Sequence, residues 1–221
     1  MRNDGASPSG IKNSRTWIRK LTYGGLLLAV GIVLPQVLHL TGGPTYGATF
    51  LPMHIPVLIA GLLLGPVYGL IIGGITPALS FMITGMPMIA RLPFMVIELC
   101  AYGIASGFFY HTAGFSRFRF PRRFHATGDT GQGVSNPERL TGIYISLIFS
   151  MIVGRFVYAF GLLLTGRFFG LEKADPAAVL TAVTTGIVGI IIQLLIIPPI
   201  LFALQKGGLT NGLVERSRPQ T

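Results

Sequence analysis

Two ionisable residues stand deep inside long apolar stretches of this sequence: Glu98 in LPFMVIELCAYG and Arg155 in IFSMIVGRFVYAF. A charge held in hydrocarbon costs a few kcal/mol on insertion scales, so by default it marks a task such as an ion pair, a proton path or a polar ligand. Counted inward from the outer ends of their segments, Glu98 lies about ten residues deep and Arg155 about eleven. If both segments are helices, each sits roughly 15 Å below the surface, at one level. Two readings stay open. In one, the pair locks two helices together, since an unpaired charge at that depth is expensive. In the other, one or both face a polar ligand, with Arg155 presenting its planar fork to a carboxylate or phosphate.

Neighbouring residues extend this polar feature. Arg91 precedes Glu98 by seven positions and Tyr102 follows it by four, which places all three on one helical face. Arg91 either contacts a ligand or snorkels to the outer interface. Tyr158 follows Arg155 by three and points the same way, as a ligand contact or as ordinary core. His54 stands between Pro52 and Pro56, where contact with a ligand and simple capping are equally open. His39 reads as interfacial, and Gln193 as an interhelical hydrogen bond.

No catalytic or cofactor signature accompanies these residues. The sequence has no Gly-rich loop ending in Gly-Lys-Ser/Thr, no paired metal-ligand histidines at helical spacing and no nucleophile elbow. An enzyme and a cofactor site are therefore not expected, and a chain that cannot hydrolyse ATP must draw on a gradient or on another subunit to move anything uphill. The single cysteine, Cys100, lies in an apolar segment and implies neither a disulfide framework nor a metal site.

The elements that position these residues are membrane spans. Of the 221 residues, 51% are hydrophobic and 11% charged, against roughly a quarter charged in a soluble domain. The mean hydropathy is +0.66, and several apolar runs reach the roughly 20 residues a helix needs to cross the bilayer. The net charge of +10 does not point to nucleic acid, because the basic residues lie between and beyond the apolar runs rather than as a patch on a domain. A polar basic stretch precedes the first apolar run and no small-residue cleavage site follows it, so that run is expected to be retained rather than cleaved.

Charge placement sets the topology. Residues 1–20 carry Arg2, Lys12, Arg15, Arg19 and Lys20; the 112–139 loop carries Arg117, Arg119, Arg122, Arg123 and Arg139; the C-terminal tail carries Lys206, Arg216 and Arg218. By the positive-inside rule all three are cytoplasmic. An even number of crossings must then separate the first tail from the loop, so Ile55 to Thr84 is expected to cross twice, turning at Gly65-Pro66; a single kinked span with an odd topology is the alternative. The expectation is an all-α protein of six spans, at about 21–40, 55–64, 67–84, 88–110, 140–164 and 177–204, with both termini inside and 41–54, 85–91 and 165–176 outside. Ile55 to Thr84 reaches only about 45 Å at 1.5 Å per residue, against roughly 30 Å for each full span. One crossing must be short, and Pro52 and Pro56 make Leu51 to Pro56 an extended entry. Non-helical backbone at that depth must be buried in protein or line a watery cavity, so an outward-facing cavity near His54 is expected.

In the first span, Gly25 and Ala29 within GGLLLAVG put small side chains one turn apart, either for internal packing or for close approach by another helix. The runs LPMHIPVLIAGLLLGPVYGLIIGGITPALSFMITGMP and LPFMVIELCAYGIASGFFY resemble the substrate-specific S components of energy-coupling factor (ECF) transporters over about residues 20–206. The resemblance implies a prokaryotic plasma-membrane subunit that binds a vitamin from outside. It also implies docking on a transmembrane coupling subunit and two ATPase subunits, and toppling to release cargo inward. The family's small-xxx-small coupling motif maps onto Gly25 and Ala29, with glycine in place of the usual alanine. Its binding residues come from outer loops and the outer halves of later spans, which is consistent with His54, Arg91, Glu98, Arg155 and Tyr158; Tyr102, on the Glu98 face, joins them as an expected contact. The HisIlePro and GlyMetPro strings look most like the pantothenate-type branch, and other B vitamins or precursors stay open. A stand-alone carrier using Glu98 for proton coupling is the alternative.

Overall fold

The computed structural model describes residues 8–87, 89, 91–113, 136–169 and 186–206. Almost all of these are helical, with no strand among them: α1 (Pro8–Phe50), α2 (His54–Leu64), α3 (Pro66–Thr84), α4 (Leu92–Gly107) continued by a π-helical turn (Phe108–Thr112), α5 (Asn136–Phe169) and α6 (Ile187–Lys206). Among the described residues, five helices carry segments long and apolar enough to cross a membrane, and α2 is a shorter apolar helix. Most of the 112–139 loop, all of 170–185 with the first part of the expected last span, and the C-terminal tail lie outside the described residues.

Two expectations about the first hundred residues need correction. The 41–50 segment, read as turn-rich, is helical: the helix that carries the first span runs unbroken to Phe50, and its first described residue is Pro8, within the expected polar tail. Its apolar part, Thr16–Leu40, is only its middle. The extended entry is likewise shorter than expected. Leu51 adopts a left-handed φ of 49°, and His54 already opens α2 with Pro56 inside its first turn. Proline is tolerated there because the N–H it lacks would have had no helical partner.

The turn between α2 and α3 falls at Gly65, whose φ of 101° suits a residue without Cβ, with Pro66 opening α3. That proline has a consequence across the bundle. Having no N–H, it leaves the Leu62 carbonyl without its helical donor, and His111 in the π turn supplies one, its Nε2 lying 2.9 Å from that oxygen. The end of α4 is thereby tied to the α2–α3 turn.

Glycine sets how closely α2, α3 and α4 approach. A Cβ on Gly103 would collide with the backbone of Gly69, one on Gly73 with the carbonyl of Leu99, and one on Gly61 with Ser106 and Gly103. These pairings run α4 antiparallel to α3 with almost no side chain between them. On the other side of α3, Gly31 of α1 faces Thr76, and near the α2–α3 turn Trp17 packs edge-on to Tyr68, ring centroids 6.2 Å apart. Lys20 Nζ sits 5.3 Å from the same tyrosine ring. So the basic start of α1, the Gly65 turn and the end of α4 share one end of the bundle.

The interior is filled by Leu58, Leu62, Leu99, Ile143, Leu147 and Leu201, all fully buried, whereas Leu26, Ile83, Phe156 and Leu195 point outward. In water such a surface would drive aggregation; among acyl chains it carries no penalty. Interior hydroxyls turn back on their own helices: Thr76 donates to Ile72, Ser146 to Gly142 and Ser150 to Ser146.

Candidate functional site

The polar centre of the bundle forms where the start of α2, the first half of α4 and the middle of α5 meet. From α4 comes Glu98, 3% exposed; from α2 comes His54, 1% exposed. His54 Nε2 lies 3.5 Å from Glu98 Oε1, and Arg155 Nη1 of α5 approaches that same oxygen to 3.8 Å. One turn along α4, Tyr102 stands edge-on to the His54 ring at 4.9 Å between centroids. Glu98 and Arg155 thus do share a level, but the group has a third member that counting depth along single helices does not reveal.

These contacts are loose for a buried ionic group. Charge-assisted hydrogen bonds close to about 2.7–2.9 Å, and neither approach to Glu98 does so. Both nitrogens of His54, Oε1 of Glu98, and Nε and Nη2 of Arg155 are buried without a hydrogen-bond partner. Buried polar atoms are nearly always paired, and each unpaired one costs about 1–3 kcal/mol. Several collected in one spot form an array of donors and acceptors complementary to a small polar molecule. The set can present a guanidinium fork to an anion, a carboxylate to a donor, and an imidazole to either.

Other expected contacts are placed differently. Tyr158 is half-buried on α5, close enough to Glu98, Arg91 and Arg155 to feel their charges. Arg91 is exposed at the start of α4. Gln193 donates through Nε2 to the Leu51 carbonyl at 3.3 Å, so α6 holds the break between α1 and α2 that precedes His54. A cavity of about 400 Å³ lies between α5 and α6, lined by Arg155 together with Ile152, Phe156, Ile190 and Leu194. Its walls are apolar, which suits acyl chains rather than a polar ligand.

Two glycines escape a search for chemical side chains. A Cβ on Gly154 would fall on the Tyr102 ring, within 2.5 Å of Cε2, and one on Gly186 would overlap the Arg155 guanidinium. Gly154 directly precedes Arg155 in sequence, the only local hint of its role. On α1, Gly25 and Ala29 are exposed, and a Cβ on Gly25 would meet nothing within 4 Å. The small pair therefore does not serve packing inside the bundle, a task done by Gly24 and Gly31 on the opposite face.

Among the described residues, no group of three or more His, Cys, Asp or Glu side chains could hold a metal ion. A family model described as the substrate-specific component of ECF transporters matches residues 19–201. No curated protein and no solved structure matches the chain.

Proposed function

We infer, starting from the fact that this chain belongs to the substrate-specific components of ECF transporters, that it is the vitamin-binding subunit of an ATP-driven importer in a prokaryotic plasma membrane. Such components are multi-pass transport subunits that associate with energy-coupling modules in the membrane. The cargo is a small vitamin or precursor with an acidic group, and pantothenate is the lead candidate. One observation supports the binding site above others: the collection of buried, unpartnered polar atoms on His54, Glu98 and Arg155. In this reading Arg155 takes the anionic end, Glu98 and His54 take hydroxyl or amide groups, Tyr102 and Tyr158 wall the site, and Arg91 draws anions to its mouth. Native mass spectrometry of gently extracted protein should find a vitamin-sized acid bound. A purified, folded protein that carries none and binds none of the B vitamins would overturn the assignment.

Energy is supplied by a transmembrane coupling subunit and two ATPase subunits. Uptake should cease when the ATPases are removed; uptake that persists and follows the proton gradient would point instead to a carrier using Glu98. The docking face is the exposed Gly25–Ala29 stretch of α1. Gly25→Leu or Ala29→Leu places a branched chain where helices must come close. Either change is expected to cut uptake at least about tenfold, the equivalent of about 1.4 kcal/mol of lost association, and to leave cargo affinity in detergent unchanged. Normal uptake by both variants would remove this face from coupling.

A further inference from the structure

Gly186 lies just before α6 and carries no chemical group, yet its Cα is seated against the guanidinium of Arg155. A Cβ built there would overlap Nη2 and come within 2.6 Å of Cζ and 2.9 Å of Nη1, so the whole planar head of the arginine rests on this glycine. That seat coincides with the looseness of the ion pair. Nη1 stops 3.8 Å from Glu98, and Nε and Nη2 have no partner although they are buried. A guanidinium and a carboxylate free to approach would close into a bidentate pair at about 2.7–2.9 Å.

We propose that Gly186 is a positioning residue for anion recognition: by offering a seat without a Cβ, it keeps the Arg155 head from collapsing onto Glu98 and leaves two of its N–H edges for the carboxylate or phosphate of the cargo. The inference rests on the cargo site assigned above and adds to it the element that prevents the site from satisfying itself. Gly154 makes a useful contrast. A Cβ there strikes the ring of fully buried Tyr102, which has no room to move, so that substitution disturbs packing. At Gly186 the obstructed group is the end of a flexible side chain. It swings aside at little cost to the fold, and the direction with a counter-charge is toward Glu98.

The test is Gly186→Ala. With labelled pantothenate as probe, its affinity should fall at least about tenfold, the loss of one charge-assisted hydrogen bond, and the change should have no further effect in an Arg155→Ala background. In the absence of cargo, the melting temperature of Gly186→Ala in detergent should equal or exceed that of the parent, because the ion pair has closed. In a Glu98→Gln background the same substitution should lower it, since the displaced guanidinium then has no carboxylate to meet. Wild-type affinity in Gly186→Ala, or a melting effect independent of Glu98, would overturn the proposal. If the parent protein itself fails to bind pantothenate, the cargo assignment falls, and the cargo-free melting cycle alone decides the role of Gly186.

Discussion

Arg155→Ala is expected to lower cargo affinity at least about a hundredfold, about 3 kcal/mol, while the protein still folds and extracts as a single species in detergent. The size of the effect follows from what Arg155 is placed to do. Its unpartnered N–H groups lie in a site where His54 and Glu98 are 1% and 3% exposed, and in such surroundings a charged hydrogen bond is far stronger than in water. Loss of the fork removes the interaction and the fixed orientation together. Arg155→Lys keeps the charge but offers a point rather than a fork, so it should recover only part of the affinity.

The competing role, a structural ion pair, makes the opposite forecast. Breaking a well-formed buried pair costs about 3–5 kcal/mol of stability, because one charge is left alone. A pair at 3.8 Å with open hydrogen-bonding positions is not well formed, so its removal should cost the fold less than it costs binding. Thermal melting and calorimetric titration of the same preparation separate the two. A folded Arg155→Ala protein with parental affinity would leave the pair as architecture only.

The membrane character, the break at Gly65 and the shared depth of Glu98 and Arg155 are properties of one-dimensional patterns, and they could be read from the chain alone. Apolar run length marks a span because hydrocarbon thickness is nearly fixed, and depth follows from a constant rise per residue. Rotation about a helix axis relative to its neighbours is not encoded that way. The approach of His54 to Glu98 depends on α2 beginning at residue 54 rather than after Pro56, a choice made by tertiary packing against a proline the first turn can absorb. The roles of Gly154 and Gly186 depend on what stands opposite them, and a residue without a side chain announces nothing about its partner. Continuation of α1 to Phe50 goes against the turn signals of Gly42, Gly43 and Pro44. Local propensity is a weak prior that tertiary surroundings override.

The largest stability effect should come from a position with no polar chemistry at all. Gly103→Ala replaces glycine inside a helix by the best helix former, a gain of about 1 kcal/mol on propensity alone. The added methyl, however, would strike the backbone of Gly69, and backbone cannot turn aside as a side chain can. To admit it, α3 and α4 must separate along a contact that also includes Gly73 against Leu99 and Gly107 against Pro66. Overpacking of this kind costs about 1–3 kcal/mol or more, so the sign is destabilising despite the better propensity. Gly103→Leu should exceed about 4 kcal/mol and yield little folded protein. The control is the same change at an outward glycine: Gly25→Leu enlarges a position with nothing within 4 Å of its Cβ and should melt as the parent does. Because Gly103 is one residue from Tyr102 and five from Glu98, separation of α3 from α4 would also disperse the His54–Glu98–Arg155 group, so any folded Gly103→Ala protein should bind cargo weakly. A Gly103→Ala protein as stable as the parent would mean that the glycine contacts do not set the spacing of these helices, and the geometry of the site would need another source.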